Sequence, residues 1–318
     1  MPASHRSAMT GAPRIALFAE ASDSVARRIA AALTRRGAAP LRLSLRACGF
    51  DTRQPWGMAL PGFEAALPDA ALVRGIPTGS FEQVTLRLSV LHALRELGVT
   101  VWNDARAIEC CVDKAMATHL IGKAGLASPL TFTAQSRDEA AAIAARECSG
   151  GVALVMKPLF GAQGRGLRLI EKADDLPPED EVGGIYYLQH FVAPAAAHWQ
   201  DYRLFVCSGK VAAGMTRIGS SWITNVKQGG WPQATVLTAD LVETAERAAR
   251  AVGADYAGVD VIRGRCGTLF TLEVNSMPAW SGLEAANPGL DVAELLAERF
   301  LAAVMQRRQA GMSAATGS

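Results

Sequence analysis

Two apolar runs near the end of the chain carry carboxylates where a buried strand ordinarily has none. Ala257-Gly258-Val259-Asp260-Val261-Ile262-Arg263 is followed, across Gly264–Gly267, by Thr271-Leu272-Glu273-Val274-Asn275-Ser276-Met277-Pro278. Side chains alternate along a strand, so Glu273 and Asn275 are expected on one face, with Leu272 and Val274 on the other. A hairpin lays Asp260, between Val259 and Val261, near the first of these faces. Two carboxylates and an amide oxygen gathered inside apolar strands are costly unless a cation neutralises them. All-oxygen donors of this kind suit Mg²⁺, which commonly also takes phosphate oxygens and water. The competing reading is three solvated residues on an open sheet face. Met277-Pro278 ends the strand with no sign of a soluble edge, which favours the metal.

A second segment points to phosphate. In Lys157-Pro158-Leu159-Phe160-Gly161-Ala162-Gln163-Gly164-Arg165-Gly166-Leu167, three glycines let the backbone approach a ligand, and consecutive amides can form an anion-binding nest. Lys157 stands at the strand end just before this loop. It is not a Walker A loop, because no Gly-Lys-Ser/Thr follows. A mobile hairpin tip would account for the glycines alone; beside a downstream Mg²⁺ site, a nucleoside triphosphate explains both segments. Two charged pairs join them: Asp113-Lys114 at a helix start, and Asp201 with Arg203 on one strand face, which fits a ribose contact beside a phosphate or carboxylate contact. Each pair alone is more simply a surface pair. Only six of the 32 basic residues are lysines, Lys114, Lys123, Lys157, Lys172, Lys210 and Lys227, so a retained lysine suggests a needed point charge.

The surrounding pattern is that of a large α/β protein. Strands are predicted at 14–19, 41–45, 70–74 and 99–102, with helices at 22–36 and 81–97 stopped by Gly37 and Gly98, a β-α-β order that builds a mostly parallel sheet. Beyond it, helices are expected at 114–123, 138–148, 240–252 and 291–307. The later strands fall at 130–133, 152–157, 167–171, 185–192, 201–207, 211–217, 258–263 and 268–275. No GxGxxG joins the first strand to its helix, which excludes a dinucleotide site there. The five histidines lack zinc spacing and there is no GxSxG. A net charge of +2, from 32 Lys+Arg and 30 Asp+Glu, argues against nucleic acid as a partner. No apolar run approaches a membrane span. Six scattered cysteines without CxxC spacing read as reduced thiols of a cytoplasmic protein.

In order, Asp113-Lys114, Lys157 with its glycine loop, Asp201-x-Arg203, Asp260 and then Glu273-x-Asn275 resemble the ATP-grasp superfamily, and most closely its RimK-like amino-acid ligases, over about 100–305. The resemblance implies an α+β ATP-grasp fold behind an α/β parallel-sheet pre-ATP-grasp domain at 14–106. A small subdomain with the glycine-rich loop would span 107–185 and a large subdomain with the Mg²⁺ site 186–308, between disordered tails at 1–13 and 309–318. By position, Lys114 and Lys157 would contact ATP phosphates under the loop Gly161, Gln163, Gly164 and Gly166. Gln189 and His190 would hold adenine at the hinge, partly through backbone groups, and Asp201 the ribose. Asp260, Glu273 and Asn275 would bind one or two Mg²⁺ ions, with Mn²⁺ as a substitute. Arg203, Arg217 and Asn225 form the implied catalytic group, the arginines holding an acyl phosphate or a substrate carboxylate.

The activity so implied is carboxylate–amine ligation through an acyl phosphate, releasing ADP and phosphate. L-glutamate, or another amino acid, would be added to a small-molecule carboxylate acceptor, a coenzyme of the tetrahydromethanopterin or furan type. Glutamylation of a protein C-terminus and a non-catalytic ATP-binding regulator are the alternatives on the same fold, and a homo-oligomer is compatible with any of them. Two positions depart from the family pattern. His190 replaces a glutamate at the hinge, and Ile223-Thr224-Asn225 stands where the family has Arg-Ser-Asn, leaving Lys227 or Arg217 to compensate.

Overall fold

The computed structural model describes residues 11–161 and 164–316, so the expected tail up to Thr10, and Gln163, lie outside the described residues. The chain divides into two compact units, Met1–Ala105 with Asp291–Ser318, and Arg106–Leu290.

In the first unit, short apolar runs between capped helices form a parallel sheet. Strand β1 (Arg14–Phe18) leads to α1 (Ser24–Arg35) and β2 (Ala39–Leu43); β3 (Gly49–Phe50) and β4 (Met58–Ala59) make a small ribbon; β5 (Ala70–Val73), α2 (Phe81–Glu96) and β6 (Thr100–Trp102) follow. The sheet order is β2-β1-β5-β6, with every pair parallel. Asp23 caps α1 by accepting from the Val25 and Ala26 amides, and Ser80 with Gln83 forms a capping box on α2. Gly37 and Gly98, the expected stops, lie at φ of 81° and 83°, a conformation that glycine alone adopts freely.

The C-terminal helix corrects the sequence reading twice. It runs from Val292 to Thr316, through most of the expected tail at 309–318, where Ala310, Ala314 and Ala315 favour the helix and Gly311 opposes it. It also groups with the first unit rather than with the large subdomain. Arg28 of α1 pairs with Asp291 at 3.0 Å, Arg35 and Arg36 bind Glu294, and Phe300 packs edge-on to Trp102 at 5.5 Å.

The second unit holds two antiparallel sheets. α3 (Ala105–Val112) and α4 (Lys114–Lys123) precede β7 (Thr131–Ala134), α5 (Arg137–Ser149), β8 (Leu154–Lys157), β9 (Arg168–Ile170) and β10 (Tyr186–His190). Then come β11 (Trp199–Cys207), β12 (Lys210–Gly219), β13 (Trp231–Ala234), α6 (Ala239–Ala251), β14 (Tyr256–Arg263), β15 (Leu269–Asn275) and α7 (Ser281–Ala286). The smaller sheet is ordered β7-β10-β8-β9 and the larger β13-β12-β11-β14-β15.

Each sheet buries one face under helices. On the smaller, Ala140 and Ala144 of α5 pack on Leu154, Met156, Tyr186 and Leu188. On the larger, Leu241, Ala245 and Ala248 of α6 pack on Val206, Val259, Val261 and Val274, together with Ile121 of α4. Each fully buried Leu or Val contributes about 1.5–3 kcal/mol. Because strands alternate, this fixes the residues of the opposite face: Tyr187 and Gln189 on β10, Asp201 and Arg203 on β11, and Asp260 on β14. Among the described residues no helix is long and apolar enough to cross a membrane, and no disulfide links the six cysteines.

Candidate active site

The free faces of the two sheets line a cleft of about 870 Å³, its open mouth included. Lys114, Lys157, Gly161, Gly164, Gln189, His190, Asp201, Arg217, Asn225, Asp260 and Glu273, all singled out in the sequence, contribute to its walls. Arg203, Gly166 and Asn275 do not, although Arg203 bonds Asp260 and Gly166 lies between Arg165 and Leu167, which do.

On the smaller-sheet side the charge is positive. Asp113 caps α4, accepting from the Ala115 and Met116 amides at 2.9 and 3.0 Å, which sets Lys114 in the first turn. The Lys114 ammonium donates to the carbonyl of Gly161 at 2.9 Å, tying the helix to the glycine-rich loop. Burial lowers the Lys114 pKa, with Glu273 opposing the shift. Lys157, at the end of β8, is pushed further, to about 8; burial dominates, and Glu273 offsets part of it. The loop lies close to Asn225 and Gln228: Gly164 has φ of 69°, and a Cβ there would collide with the Asn225 side chain and come within 2.7 Å of Gln228. Arg165 from this loop also lines the cleft and has no carboxylate partner among the described residues. At the hinge, His190 bonds Glu147 at 2.8 Å, so its imidazole is directed to α5.

On the larger-sheet side charges of both signs interlock. Cross-strand register puts Asp201 opposite Arg217, Arg203 opposite Asp260, and Asp260 opposite Glu273. Arg217 donates from Nε to Asp201 Oδ1 at 2.7 Å and from Nη2 to the other carboxylate oxygen, and it reaches Asp260 at 3.0 Å. Arg203 grips Asp260 through two bonds of 2.6 Å. Burial alone would raise the Asp260 pKa, but the two guanidiniums outweigh it and hold the carboxyl below its ordinary value. Burial would likewise lower Arg217; Asp201 and Asp260 reverse this and raise it. The two arginines expected to meet substrate are thus held by aspartates, and the Asp201 carboxylate expected at the ribose is held by Arg217. Sequence reading found the face and missed the pairing, which depends on strand register.

Glu273 has no hydrogen bond or ion pair among the described residues, so it faces the cleft as a free carboxylate opposite Asp260. The strand also breaks the expected alternation. Asp260 pairs with Glu273 but Val261 with Thr271, so Leu272 is an extra residue, a β-bulge, and it lines the cleft beside Glu273 instead of pointing away. The buried Asn275 amide nitrogen has no partner. Amide nitrogen and oxygen exchange places by a half-turn, so the carbonyl can be presented there instead. Two carboxylates and one amide on neighbouring strands fit Mg²⁺ in donor type, Glu273 supplying the uncommitted charge. Val155, Ile262, Leu272 and Phe191 add apolar wall suited to a flat base. Apolar strand residues carry no chemical signature, and these escaped the sequence reading, as did Arg165.

Residues 111–300 match the RimK-like ATP-grasp domain. The chain is 32% identical over 265 residues to the tetrahydromethanopterin:alpha-L-glutamate ligase of Methanosarcina acetivorans, covering 76% of this chain and 79% of that one. It is 33% identical over 247 residues to a probable alpha-L-glutamate ligase of Hahella chejuensis, covering 76% of each. The solved structure of the ATP-grasp ligase PsnB, complexed with a phosphomimetic variant of its minimal precursor, Mg and ADP, superposes with a TM-score of 0.71 at 20% identity, over 91% of this chain and 98% of PsnB. With a two-sheet cleft of this fold and a family match across most of its length, the chain belongs to the RimK-like ATP-grasp family and is an ATP-dependent ligase.

Proposed function

We propose that the protein joins L-glutamate to the carboxylate of a small coenzyme, a one-carbon carrier of the tetrahydromethanopterin or furan type. The observation that carries the chemistry is the cleft itself, which sets Lys114 and Lys157 on one side and Glu273 with Asp260 on the other. The relatives named as glutamate ligases supply the amino acid, and the tetrahydromethanopterin ligase supplies the acceptor class.

In this reading Lys114 and Lys157 take the ATP phosphates, and the glycine-rich loop, through Gly161, Gly164 and Gly166, meets the same phosphates. Glu273, Asp260 and Asn275 hold Mg²⁺, which when bound neutralises phosphate charge. Mn²⁺ can replace it, and the site takes one or two ions. The acceptor carboxylate attacks the γ-phosphorus; the bond from that phosphorus to the bridging oxygen breaks and ADP leaves. The glutamate amine then displaces phosphate from the acyl carbon, losing a proton as the amide forms. No protein nucleophile is needed, so the residues work by positioning and charge. Arg165, the guanidinium of the cleft with no aspartate beside it, is available to the transferring phosphoryl group. Arg217 acts indirectly, fixing Asp201 and Asp260 in place, and Asn225 meets the loop at Gly164. We further propose a cytoplasmic location.

The test is mass spectrometry of wild type and Glu273→Gln incubated with ATP, Mg²⁺, heavy glutamate and a soluble extract of the source cells. A heavy glutamyl adduct on a small molecule, made by wild type alone, is the expected result. An adduct on a polypeptide moves the acceptor to a protein C-terminus. ATP binding without any adduct or ADP favours a different amino acid or a regulatory role.

A further inference from the structure

We infer that Thr131 sets the base specificity of the cleft, by fixing the side-chain amide of Gln189 so that its carbonyl oxygen faces the ligand as an acceptor for a 6-amino purine. The inference rests on the cleft being the nucleotide site. Gln189 lines it and is 1% exposed, on the face of β10 away from the α5 core. Its Nε2 donates to Thr131 Oγ1 at 2.9 Å and to the Tyr187 hydroxyl at 2.7 Å. Its Oε1 is buried with no donor.

The orientation of such an amide is chosen by its partners. Tyr187 does not choose: a hydroxyl gives or takes, and this one also has Thr118 Oγ1 at 2.7 Å. Thr131 does choose, because its own proton has another acceptor, the carbonyl of Pro129 at 2.7 Å. With its proton on the Pro129 carbonyl, or on the Tyr187 oxygen that it also meets, Thr131 Oγ1 is left to accept, so the amide nitrogen faces it. Thr131 is the cross-strand neighbour of Gln189 on β7, and Val155 its neighbour on β8 lines the cleft. Holding Nε2 toward β7 turns Oε1 the other way, as an orphaned acceptor. A purine with an amino group at C6 satisfies it; a purine with an oxygen there places two acceptors face to face. Leaving a buried acceptor unsatisfied is more costly than the bond it forgoes is worth. Thr131 is therefore a positioning residue that acts through Gln189.

The test is equilibrium binding of ATP and of ITP, which differ at the C6 substituent, to wild type, Thr131→Val and Thr131→Ser, each with Mg²⁺. Wild type is expected to prefer ATP by at least about tenfold, because ITP leaves Oε1 unpaired. Valine keeps the β-branched shape without the acceptor, so the amide can turn. The preference should fall to within about threefold, partly through tighter ITP binding, a gain that misfolding cannot produce. Serine keeps the hydroxyl and should restore the wild-type ratio. An unchanged ratio in Thr131→Val, or an equal loss in Thr131→Ser, overturns the role of Thr131. Wild type that binds both nucleotides alike overturns the base selection while leaving the nucleotide site standing. Wild type that binds neither overturns the site assignment and this inference with it.

Discussion

The two sides of the cleft treat charge in opposite ways. The smaller-sheet side carries cations, Lys114, Lys157 and Arg165, with no carboxylate bound to them among the described residues, and otherwise a neutral network of Thr118, Tyr187, Gln189 and Thr131. The larger sheet alternates sign along Asp201, Arg217, Asp260 and Arg203, each satisfied by the next, and leaves Glu273 over. One side is incomplete without a polyanion. The other is nearly complete by itself, and its single surplus is negative. A ligand that brings phosphates together with a cation completes both at once, whereas neither a bare anion nor a bare metal does.

The largest expected effect comes from removing the surplus. Glu273→Gln should lower turnover by about 10³-fold while leaving the unfolding midpoint near that of wild type, since among the described residues no hydrogen bond or ion pair holds the carboxylate. Steady-state ADP release checks the first part and thermal unfolding the second; a retained rate would dissolve the contrast between the sides. Arg217→Met attacks the self-satisfied ladder instead, leaving Asp201 and part of Asp260 buried without their cation. A loss of about 3 kcal/mol or more in denaturant unfolding is expected.

Lys157→Ala is expected to lower kcat/KM for ATP by about 10²-fold. Its pH dependence has a defined sign. Burial lowers the Lys157 pKa to about 8, so the ammonium present below that pH is lost as pH rises through it. In wild type kcat/KM for ATP should therefore fall above about pH 8, and in Lys157→Arg this fall should vanish. Because Glu273 is the main group raising the Lys157 pKa, nucleotide binding by Glu273→Gln should weaken at a lower pH than in wild type. Calorimetric titration across pH measures that coupling directly. The smallest effect belongs to Gly164→Ala, which places a side chain at φ of 69° and against Asn225. Roughly 1–2 kcal/mol of local strain is expected, read as an unfolding free energy lowered by up to that amount and a raised KM for ATP.

The sequence exposes what violates its own local pattern. Asp260, Glu273 and Asn275 were visible because charged and amide groups interrupt runs of Val and Ile, and the glycine loop because three glycines in six residues suit no regular element. What stayed hidden depends on neighbours distant in the chain. Arg203 and Arg217 read as free cations until register placed Asp260 and Asp201 against them. Leu272 read as a core residue until the bulge turned it into the cleft. Thr131 is an ordinary strand residue whose importance lies in where one proton goes. Among the elements, α3, α7 and β13 escaped for lack of periodicity or length, and the last helix ran past its last apolar repeat.

The extra residue at Leu272 also decides what the larger sheet cannot do. β15 is an outermost strand, and an outermost strand with regular spacing is a template on which another chain can pair. The bulge interrupts that spacing, and the Thr271 amide is already bound to the carbonyl of Ala127 at 2.8 Å. At the opposite border, β13 contains Pro232, which has no amide proton to offer. Both borders are thus unsuited to growth by strand addition, and at β15 the protection against aggregation comes from the same irregularity that turns a leucine toward the cleft.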